Sequence, residues 1–238
     1  MQQAIPIQEH KLKIIKIIDE SPEVKTFRVQ VPNKDISFYA GQFFMVRFED
    51  SIKMHRAYSI ASSPEQKNYL DITMNLVAEF THKLWKAEIG DILIFKGPYG
   101  KFFFAEEMKK NLVLIGGGLG ITPLMSIIRL CMDKKLKNKI KLIYSARTPV
   151  DIVYHEEIKQ QKNQNPNMDY VVTITRPQQE YNWQGRTGRI DLNLLKQNIE
   201  DIDSLYFLCG SLIFVKSIIA MLESLGIKKE QIKTDIWG

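Results

Sequence analysis

After about residue 108, segments of strand length alternate strictly with segments of helical length. The strand segments are NLVLIGGG, KIKLIYSAR, DYVVTITR, SLYFLCG and QIKTDIW. Between them lie TPLMSIIRLCMDKKL, DIVYHEEIKQQ, DLNLLKQNI and FVKSIIAMLESLG, which have helical length. Parallel strands need crossover connections, and helices that supply them cover both faces of the sheet. The alternation therefore predicts an α/β domain with a doubly wound parallel sheet.

The first half of the sequence consists of shorter runs that we interpret as strands. KLKIIKII, KTFRVQV, QFFMVRF, RAYSIAS, LDITMNLV and DILIFKG are aromatic or β-branched, and Gly, Pro, Asn, Asp or Ser separates most of them. Short strands at this spacing are typical of an antiparallel barrel or sandwich. We predict an antiparallel β-barrel domain over residues 1–107 and the α/β domain over residues 108–238, with the boundary inside FFFAEEMKKN.

Composition excludes several classes of protein. No run approaches the roughly 20 apolar residues of a membrane span, and the N-terminus lacks the apolar core of a signal peptide. Cys131 and Cys209 are too few for a disulfide framework or an iron–sulfur cluster, so we expect a cytoplasmic protein without a metal centre. The net charge of +6 fits either a solvated lysine-rich surface or a docking face for an acidic partner. The scattered lysines do not indicate nucleic-acid binding.

The glycine-rich segment LIGGGLGITPL connects the first predicted parallel strand to its helix. Gly117, Gly118 and Gly120 allow a tight turn and the close approach of a ligand to the backbone. We expect Thr122 to cap the helix and Pro123 to occupy its first turn. The free N–H groups at that helix terminus suit a pyrophosphate. The alternative is a tight strand–helix turn that binds no ligand.

Two arginines bear on which nicotinamide nucleotide would bind there. In dinucleotide-binding folds an acidic residue at the end of the second strand holds the ribose of NAD. Here that strand ends in YSAR, with Arg147, and the next ends in TITRP, with Arg176. Arginines at these positions favour a 2′-phosphate and hence NADP(H). Because both would also suit exposed loops, NAD(H) stays open.

The segment HRAYSIASSP places a cation, a phenol and hydroxyl groups on one predicted strand. Arg56 can pair with a phosphate, Tyr58 can stack on an aromatic ring, and Ser59 can hydrogen-bond a ring nitrogen. A flavin nucleotide, which is flat and anionic, satisfies all three side chains.

Together these motifs resemble those of the ferredoxin–NADP reductase-like flavoproteins. RAYSIAS resembles the family's R-x-Y-S flavin motif, GDILIFKGPYGKF the end of its flavin barrel, GGGLGITP its nicotinamide-nucleotide turn and YFLCGS its C-G motif. The four motifs occur in the family's order, and the resemblance covers nearly the whole chain. It implies a flavin on the barrel and NADP(H) or NAD(H) on the α/β domain.

The resemblance also implies roles for individual residues on the barrel. Arg56 would hold the flavin phosphate, Tyr58 would lie against the isoalloxazine, and Ser59 would hydrogen-bond near N5, which accepts hydride. Thr81, the expected N-cap of a short helix, matches the residue that caps the pyrophosphate-binding helix in members that use FAD. Ala78 replaces its usual companion glycine, so FMN stays an alternative to FAD. The expected flavin-binding residues are Arg56, Ala57, Tyr58, Ser59, Ile60, Ala61 and Thr81.

Three residues near the C-terminus complete the implied site. Cys209 and Gly210 match the family's C-G pair beside the nicotinamide, so Ser59 and Cys209 are the expected catalytic residues. The alternative for Cys209 is a buried structural role. Trp237 would shield the flavin by stacking on it, or would alternatively pack at the end of a strand.

The resemblance implies hydride transfer from NAD(P)H to FAD, followed by electron transfer to a separate acceptor. An acidic carrier such as ferredoxin or flavodoxin suits the basic chain. The alternatives are the reductase component of an oxygenase, or an electron-transfer subunit of another multicomponent enzyme.

Overall fold

The computed structural model describes residues 4–33, 35–51 and 54–237. In the N-terminal half, the β-branched and aromatic runs form six antiparallel strands. They are β1 (Gln8–Ser21), β2 (Val24–Gln30), β3 (Phe43–Phe48), β4 (His55–Ser59), β5 (Tyr69–Asn75) and β6 (Ile92–Tyr99). Their order across the sheet is β4-β3-β6-β1-β2-β5. Helix α1 (Glu79–Trp85) connects β5 to β6.

The outer strands β4 and β5 approach each other and close the sheet into a barrel. Ile60, just after β4, forms an isolated bridge with Ile72 of β5, and the N–H of Ala61 donates to the carbonyl of Asp71 at 2.8 Å. Large apolar side chains such as the fully buried Phe44 fill the interior. Burying each such side chain contributes roughly 1.5–3 kcal/mol. The expected antiparallel barrel is confirmed.

The C-terminal half forms the predicted parallel sheet with helices on both faces. Its elements are β7 (Leu112–Gly117), α2 (Ile121–Asp133), β8 (Ile140–Ala146), α3 (His155–Gln164), β9 (Met168–Ile174), β10 (Arg186–Thr187), α4 (Leu192–Asn198), β11 (Leu205–Ser211), α5 (Leu212–Ser224) and β12 (Ile232–Trp237). The strand order is β10-β9-β8-β7-β11-β12. Among the described residues, no helix combines the length and the apolar character needed to cross a membrane.

Alternate residues of the parallel strands enter two different apolar layers. Leu114 and Leu142 pack in the cluster that contains α2 and α3, whereas Ile115 and Ile143 pack with α4 and α5. The first cluster also includes Ala61 and other residues from the barrel side, so one apolar core continues across the domain interface. The last barrel strand ends before residue 100 and the first parallel strand begins at residue 112. The predicted boundary at 107/108 lies in this connection and stays a prediction.

Two helices begin earlier than their hydroxyl residues suggested. The N-cap of α1 is Ala78, and Thr81 is the third helical residue, whose Oγ1 accepts the N–H of Ala78 and donates to its carbonyl, both at 2.8 Å. The N-cap of α2 is Gly120, and Thr122 lies inside the first turn. The predictions that Thr81 and Thr122 are N-caps are therefore wrong. Pro123 lies in the first turn, as predicted.

Candidate functional site

The barrel and the α/β domain together enclose a cavity of about 350 Å³, which we call the Ser59 cavity. Strands β4 and β5 form its barrel wall, while the start of α2 and the ends of β11 and β12 form the other wall. Ligands of doubly wound sheets bind at such carboxyl ends of strands. Of the predicted site residues, this cavity brings together Ala57, Tyr58, Ser59, Thr122, Pro123, Cys209 and Trp237.

The carboxylate of Asp235 joins the two predicted catalytic residues across the Ser59 cavity. Asp235 lies beside Cys209 in the register of β12 and β11, and Cys209 Sγ is 3.7 Å from Asp235 Oδ2. Ser59 also hydrogen-bonds to this carboxylate. Burial raises the pKa of Asp235, and the hydrogen bonds from Cys209 and Ser59 oppose that rise.

Burial is also the main influence on the Cys209 thiol. Together with the nearby Asp235 carboxylate, it raises the pKa of Cys209 well above the usual range of a thiol. A thiolate is the nucleophilic form of cysteine. Near neutral pH, Cys209 therefore serves as a neutral, weak hydrogen-bond donor.

The Ser59 cavity has unused hydrogen-bonding capacity for a ligand. Thr122 Oγ1 is buried and has no hydrogen-bond partner within the described part of the chain. Leaving a buried hydroxyl unsatisfied costs roughly 1–3 kcal/mol, so a polar ligand atom beside Thr122 would stabilise the site. Tyr58 adds a half-buried ring, and burial raises its pKa so that the phenol stays neutral. An aromatic wall with a few polar groups fits a flavin ring.

A second cavity, of about 650 Å³, opens at the glycine-rich turn and is called here the glycine-turn cavity. Gly117 and Gly118 line it, and Gly118 has the left-handed φ of 55° that glycine adopts readily. Gly120 has a different role. A Cβ there would lie 2.0 Å from the carbonyl oxygen of Cys209, so glycine allows α2 to begin this close to β11. The free N–H groups at the start of α2 suit a phosphate.

Three arginines line the glycine-turn cavity. Arg147 and Arg176 follow β8 and β9, and Arg189 follows β10. Arg28, Arg47, Arg129 and Arg186 are the described arginines that form ion pairs. The three cavity arginines therefore have no carboxylate partner among the described residues. They form a cationic wall that suits a phosphorylated ligand.

Backbone contacts hold this cationic wall together. The N–H of Arg176 donates to the carbonyl of Arg147 at 2.7 Å. The turn before Arg189 is fixed by Gly188, whose carbonyl accepts from Thr173 Oγ1 at 2.7 Å and whose N–H donates back to β9 at 2.8 Å. The guanidinium groups therefore extend from a rigid edge of the sheet.

Trp237 lines both cavities. It pairs in register with Ser211 of β11, and a hydrogen bond from its indole lowers the pKa of the Cys209 thiol against the effect of burial. Since 45% of the residue is exposed, the ring is packed at the strand end only in part. The shielding role of Trp237 stays a prediction.

Several predicted residues lie outside the walls of both cavities. Arg56 is exposed and donates to the carbonyl of His55 at 2.9 Å. The N–H groups of Ile60 and Ala61 already donate to barrel carbonyls, and the hydroxyl of Thr81 is bonded within its own helix turn. Gly120 and Gly210 act by close packing, since a Cβ at Gly210 would lie 2.7 Å from the ring of Phe214. The structure thus brings Ala57, Tyr58 and Ser59 to the Ser59 cavity, but not the rest of that run.

Sequence reasoning missed Asp235 and Arg189. Asp235 precedes Trp237 by two residues on a predicted strand, and that period of two places both side chains on one face. This carboxylate beside a site residue was the available signal. Arg189 follows a two-residue strand that no pattern in the sequence indicated.

Two family models match the chain. Residues 11–104 match the oxidoreductase FAD-binding domain, and residues 114–219 match the oxidoreductase NAD-binding domain. The first range contains Ser59 and the barrel wall of the Ser59 cavity. The second contains the glycine-rich turn, the three cavity arginines and Cys209.

One curated relative and two solved structures are similar to this chain over most of its length. A subunit of the Na(+)-translocating NADH-quinone reductase of Haemophilus ducreyi is 32% identical over 216 residues, which cover 83% of this chain and 52% of that protein. The chain thus spans about half the length of this curated relative. Among solved structures, the ferredoxin reductase in carbazole 1,9a-dioxygenase has a TM-score of 0.85 at 25% identity, covering 99% of this chain and 71% of that one. A ferredoxin NADP+ reductase from Neisseria gonorrhoeae with bound FAD and NADP has a TM-score of 0.80 at 22% identity, covering 96% and 98%.

Proposed function

Because the chain belongs to the ferredoxin–NADP reductase-like family of flavoproteins, we propose that it transfers hydride from NAD(P)H to bound FAD and passes the electrons to a separate acceptor. The observation that carries this proposal is that the two cavities share three wall residues, Asn75, Leu119 and Trp237. A flavin in the Ser59 cavity and a nucleotide in the glycine-turn cavity would meet there. Bound FAD supplies the ring that accepts hydride.

In this proposal the residues around Asp235 orient the reacting groups. A serine hydroxyl has one proton and two lone pairs, so a Ser59 that donates to Asp235 keeps its lone pairs for the ligand. Burial raises the pKa of Asp235 and the hydrogen bond from Ser59 opposes that rise, so the carboxylate and the hydroxyl are coupled in the site. Cys209 contacts the same carboxylate and limits its movement.

We further propose that the nucleotide is NADP(H) in preference to NAD(H). Arg147 and Arg176, as unpaired cations in the glycine-turn cavity, suit a 2′-phosphate. Because curated relatives are named NADH-quinone reductase, NADPH and NADH should be compared directly. Replacing both arginines by alanine should raise KM for NADPH more than KM for NADH. Equal increases would contradict the preference.

The proposed acceptor is a small acidic electron carrier, ferredoxin or flavodoxin, in the cytoplasm. The net charge of +6 supports an acidic partner. The second candidate is the reductase component of an oxygenase, which the similarity to the reductase of carbazole 1,9a-dioxygenase favours. Reduction of a ferredoxin that weakens at high salt would support the first, and co-purification with a larger enzyme would support the second.

Visible absorption of the purified protein, before and after anaerobic addition of NADPH or NADH, tests the proposal. We expect flavin bands that bleach within seconds. Bands that persist with both nucleotides would support a flavin-binding electron-transfer subunit without turnover of its own. A colourless protein that binds neither FAD nor FMN would overturn the proposal.

Ser59→Ala tests whether the Ser59 hydroxyl assists flavin reduction in the Ser59 cavity. The variant should retain flavin, because other walls of the Ser59 cavity are intact, and its flavin reduction should be slower. Reduction at the wild-type rate would reject the role of Ser59.

A further inference from the structure

Tyr154 has a strained backbone at the interface between the two domains. It is the N-cap of α3, with a φ of 60° and a ψ of 24°. This left-handed conformation is an outlier for a bulky side chain, and such strain concentrates at functional sites. Val153, the preceding residue, lines the glycine-turn cavity. The side chain of Tyr154 is therefore anchored next to the wall of that cavity.

The hydroxyl of Tyr154 begins a hydrogen-bond chain that runs into the barrel. It is bonded to Thr73 Oγ1, which lies 2.7 Å from Thr26 Oγ1, and Thr26 donates to Glu20 Oε1 at 2.7 Å. Each hydroxyl has one proton to donate. Since Thr26 donates to Glu20, Thr73 must donate to Thr26, and Tyr154 must donate to Thr73. In the hydrogen bond between the domains, Tyr154 is therefore the donor and Thr73 is the acceptor.

On the barrel side of this hydrogen bond, Thr73 lies in the wall of the Ser59 cavity. Thr73, Met74 and Asn75 are consecutive residues of β5 and all line the Ser59 cavity. Asn75 also lines the glycine-turn cavity. The bond between Tyr154 and Thr73 therefore links an α/β segment beside one cavity to a barrel strand that lines both.

Other polar contacts hold the domains together away from these walls. Ser126 Oγ donates to the carbonyl of Ser62, and Arg129 Nη1 donates to the carbonyl of Ala61, both at 2.8 Å. Arg129 also makes two bonds to Glu157, at 2.7 and 2.6 Å. None of these residues lines either cavity. Domain docking thus has anchors that do not depend on the Tyr154 hydroxyl.

We infer that Tyr154 is a positioning residue for hydride transfer, whose bond to Thr73 sets the spacing between nicotinamide in the glycine-turn cavity and flavin in the Ser59 cavity. This inference rests on the proposed function. Misplacement of reacting groups by about 1 Å can lower a rate by about 100-fold. Tyr154 lines neither cavity, so its effect passes through Val153 on one side and Thr73 on the other.

Tyr154→Phe keeps the ring and removes only the hydroxyl. We expect the limiting rate of anaerobic flavin reduction to fall about tenfold. The dissociation constant of NADPH should stay within about twofold of wild type, because the nucleotide contacts are intact. Ser126→Ala is the matched control, since it removes an interdomain hydrogen bond outside the cavity walls, and it should keep the wild-type limiting rate.

Substitutions of Thr73 separate the hydrogen bond from the shape of the cavity. Thr73→Val should lower the limiting rate about tenfold, and Thr73→Ser, which retains the hydroxyl, should recover most of that loss. Adding Tyr154→Phe to Thr73→Val should cause no further loss, because Thr73→Val has already removed the bond between Tyr154 and Thr73. Multiplied losses in the double variant would overturn the inference.

Hydrogen exchange of the full chain provides a readout that is independent of turnover. Amides of residues 73–75 should exchange faster in Tyr154→Phe than in wild type, with no such change in Ser126→Ala. A wild-type limiting rate in Tyr154→Phe, or an equal loss in Ser126→Ala, would overturn the inference alone. A wild-type protein that neither nucleotide reduces would overturn the proposed function and this inference together.

Discussion

The two cavities differ in how their polar groups are satisfied. In the Ser59 cavity, Ser59 and Cys209 are bonded to Asp235, and burial raises the pKa of both the thiol and the carboxylate. In the glycine-turn cavity, Arg147 and Arg176 have no carboxylate partner among the described residues, and neither does Arg189. The polar groups of the first wall are fixed by contacts with one another. The walls of the second cavity include the carboxylates of Glu23 and Asp151, but neither is paired with one of the three arginines among the described residues, and a phosphorylated ligand would supply that partner.

This difference predicts that substitutions in the two cavities affect different kinetic parameters. Groups that are bonded to one another before a ligand arrives contribute preorganised geometry, so their loss should appear in the rate of a chemical step. Unpaired cations contribute binding, so their loss should appear in KM. The glycine-rich turn supports both cavities, and its loss should appear in the stability of the fold.

Gly120→Ala should therefore have the largest effect. The added Cβ would lie 2.0 Å from the oxygen and 2.5 Å from the carbon of the Cys209 carbonyl, backbone atoms that cannot rotate away. We expect the free energy of unfolding to fall by more than about 4 kcal/mol. Gly118→Ala is the control, because its Cβ meets open space and only its φ of 55° is unfavourable, at about 1–2 kcal/mol. Denaturant unfolding measures both, and equal losses would contradict the packing role of Gly120.

Local sequence patterns predicted the elements of both halves, but not their beginnings or the order of the barrel strands. Thr81 stabilises α1 from its third position, by accepting the N–H of Ala78, so the residue that looked like an N-cap lies inside the helix. At α2, the glycine turn itself provides the first helical turn, and Thr122 Oγ1 has no hydrogen-bond partner among the described residues. The order β4-β3-β6-β1-β2-β5 depends on pairing between distant segments, which short patterns do not encode.

The candidate site shows the same limit. Motifs predicted Ser59, Cys209 and the glycine-rich turn, because each motif is contiguous in sequence. Asp235 and Tyr154 were missed because the partners that define them, Ser59 and Thr73, lie in the other half of the chain.

Asp235→Asn tests the fixed geometry of the Ser59 cavity. Asparagine has nearly the same shape, but it cannot ionise and presents one acceptor where the carboxylate has two. We expect the limiting rate of flavin reduction to fall about 10- to 100-fold, with little change in KM for NADPH. Because burial raises the pKa of Asp235, the wild-type rate should change with pH above the usual carboxyl range, and the variant should lack this step. A raised KM with an unchanged rate would place Asp235 in nucleotide binding instead.

Arg189→Ala tests the cationic wall of the glycine-turn cavity. A charge-assisted hydrogen bond contributes about 1.5–3 kcal/mol, so KM for NADPH should rise about tenfold or more, while kcat is retained. NADH lacks the 2′-phosphate, and its KM should change less. Arg186→Ala is the matched control on the same segment, because Arg186 is already paired with Asp191 at 2.6 Å. If both variants changed the NADPH/NADH ratio equally, the whole segment and not the unpaired cation would be responsible.

Replacing Asp169 should have the smallest effect, because this carboxylate is ion-paired with lysines and lines neither cavity. Burial would raise its pKa, but bonds from Lys141 and Lys162 hold the pKa at about 2. Since the folded value lies below the ordinary 3.8, the pairing stabilises the fold above about pH 4 and is lost as pH falls toward 2. Half of the side chain is exposed, so solvent limits this contribution to less than about 1 kcal/mol. Asp169→Asn should remove that part of the pH dependence in unfolding measured from pH 2 to 6. A much larger change in the free energy of unfolding would contradict the weak contribution expected of a half-exposed ion pair.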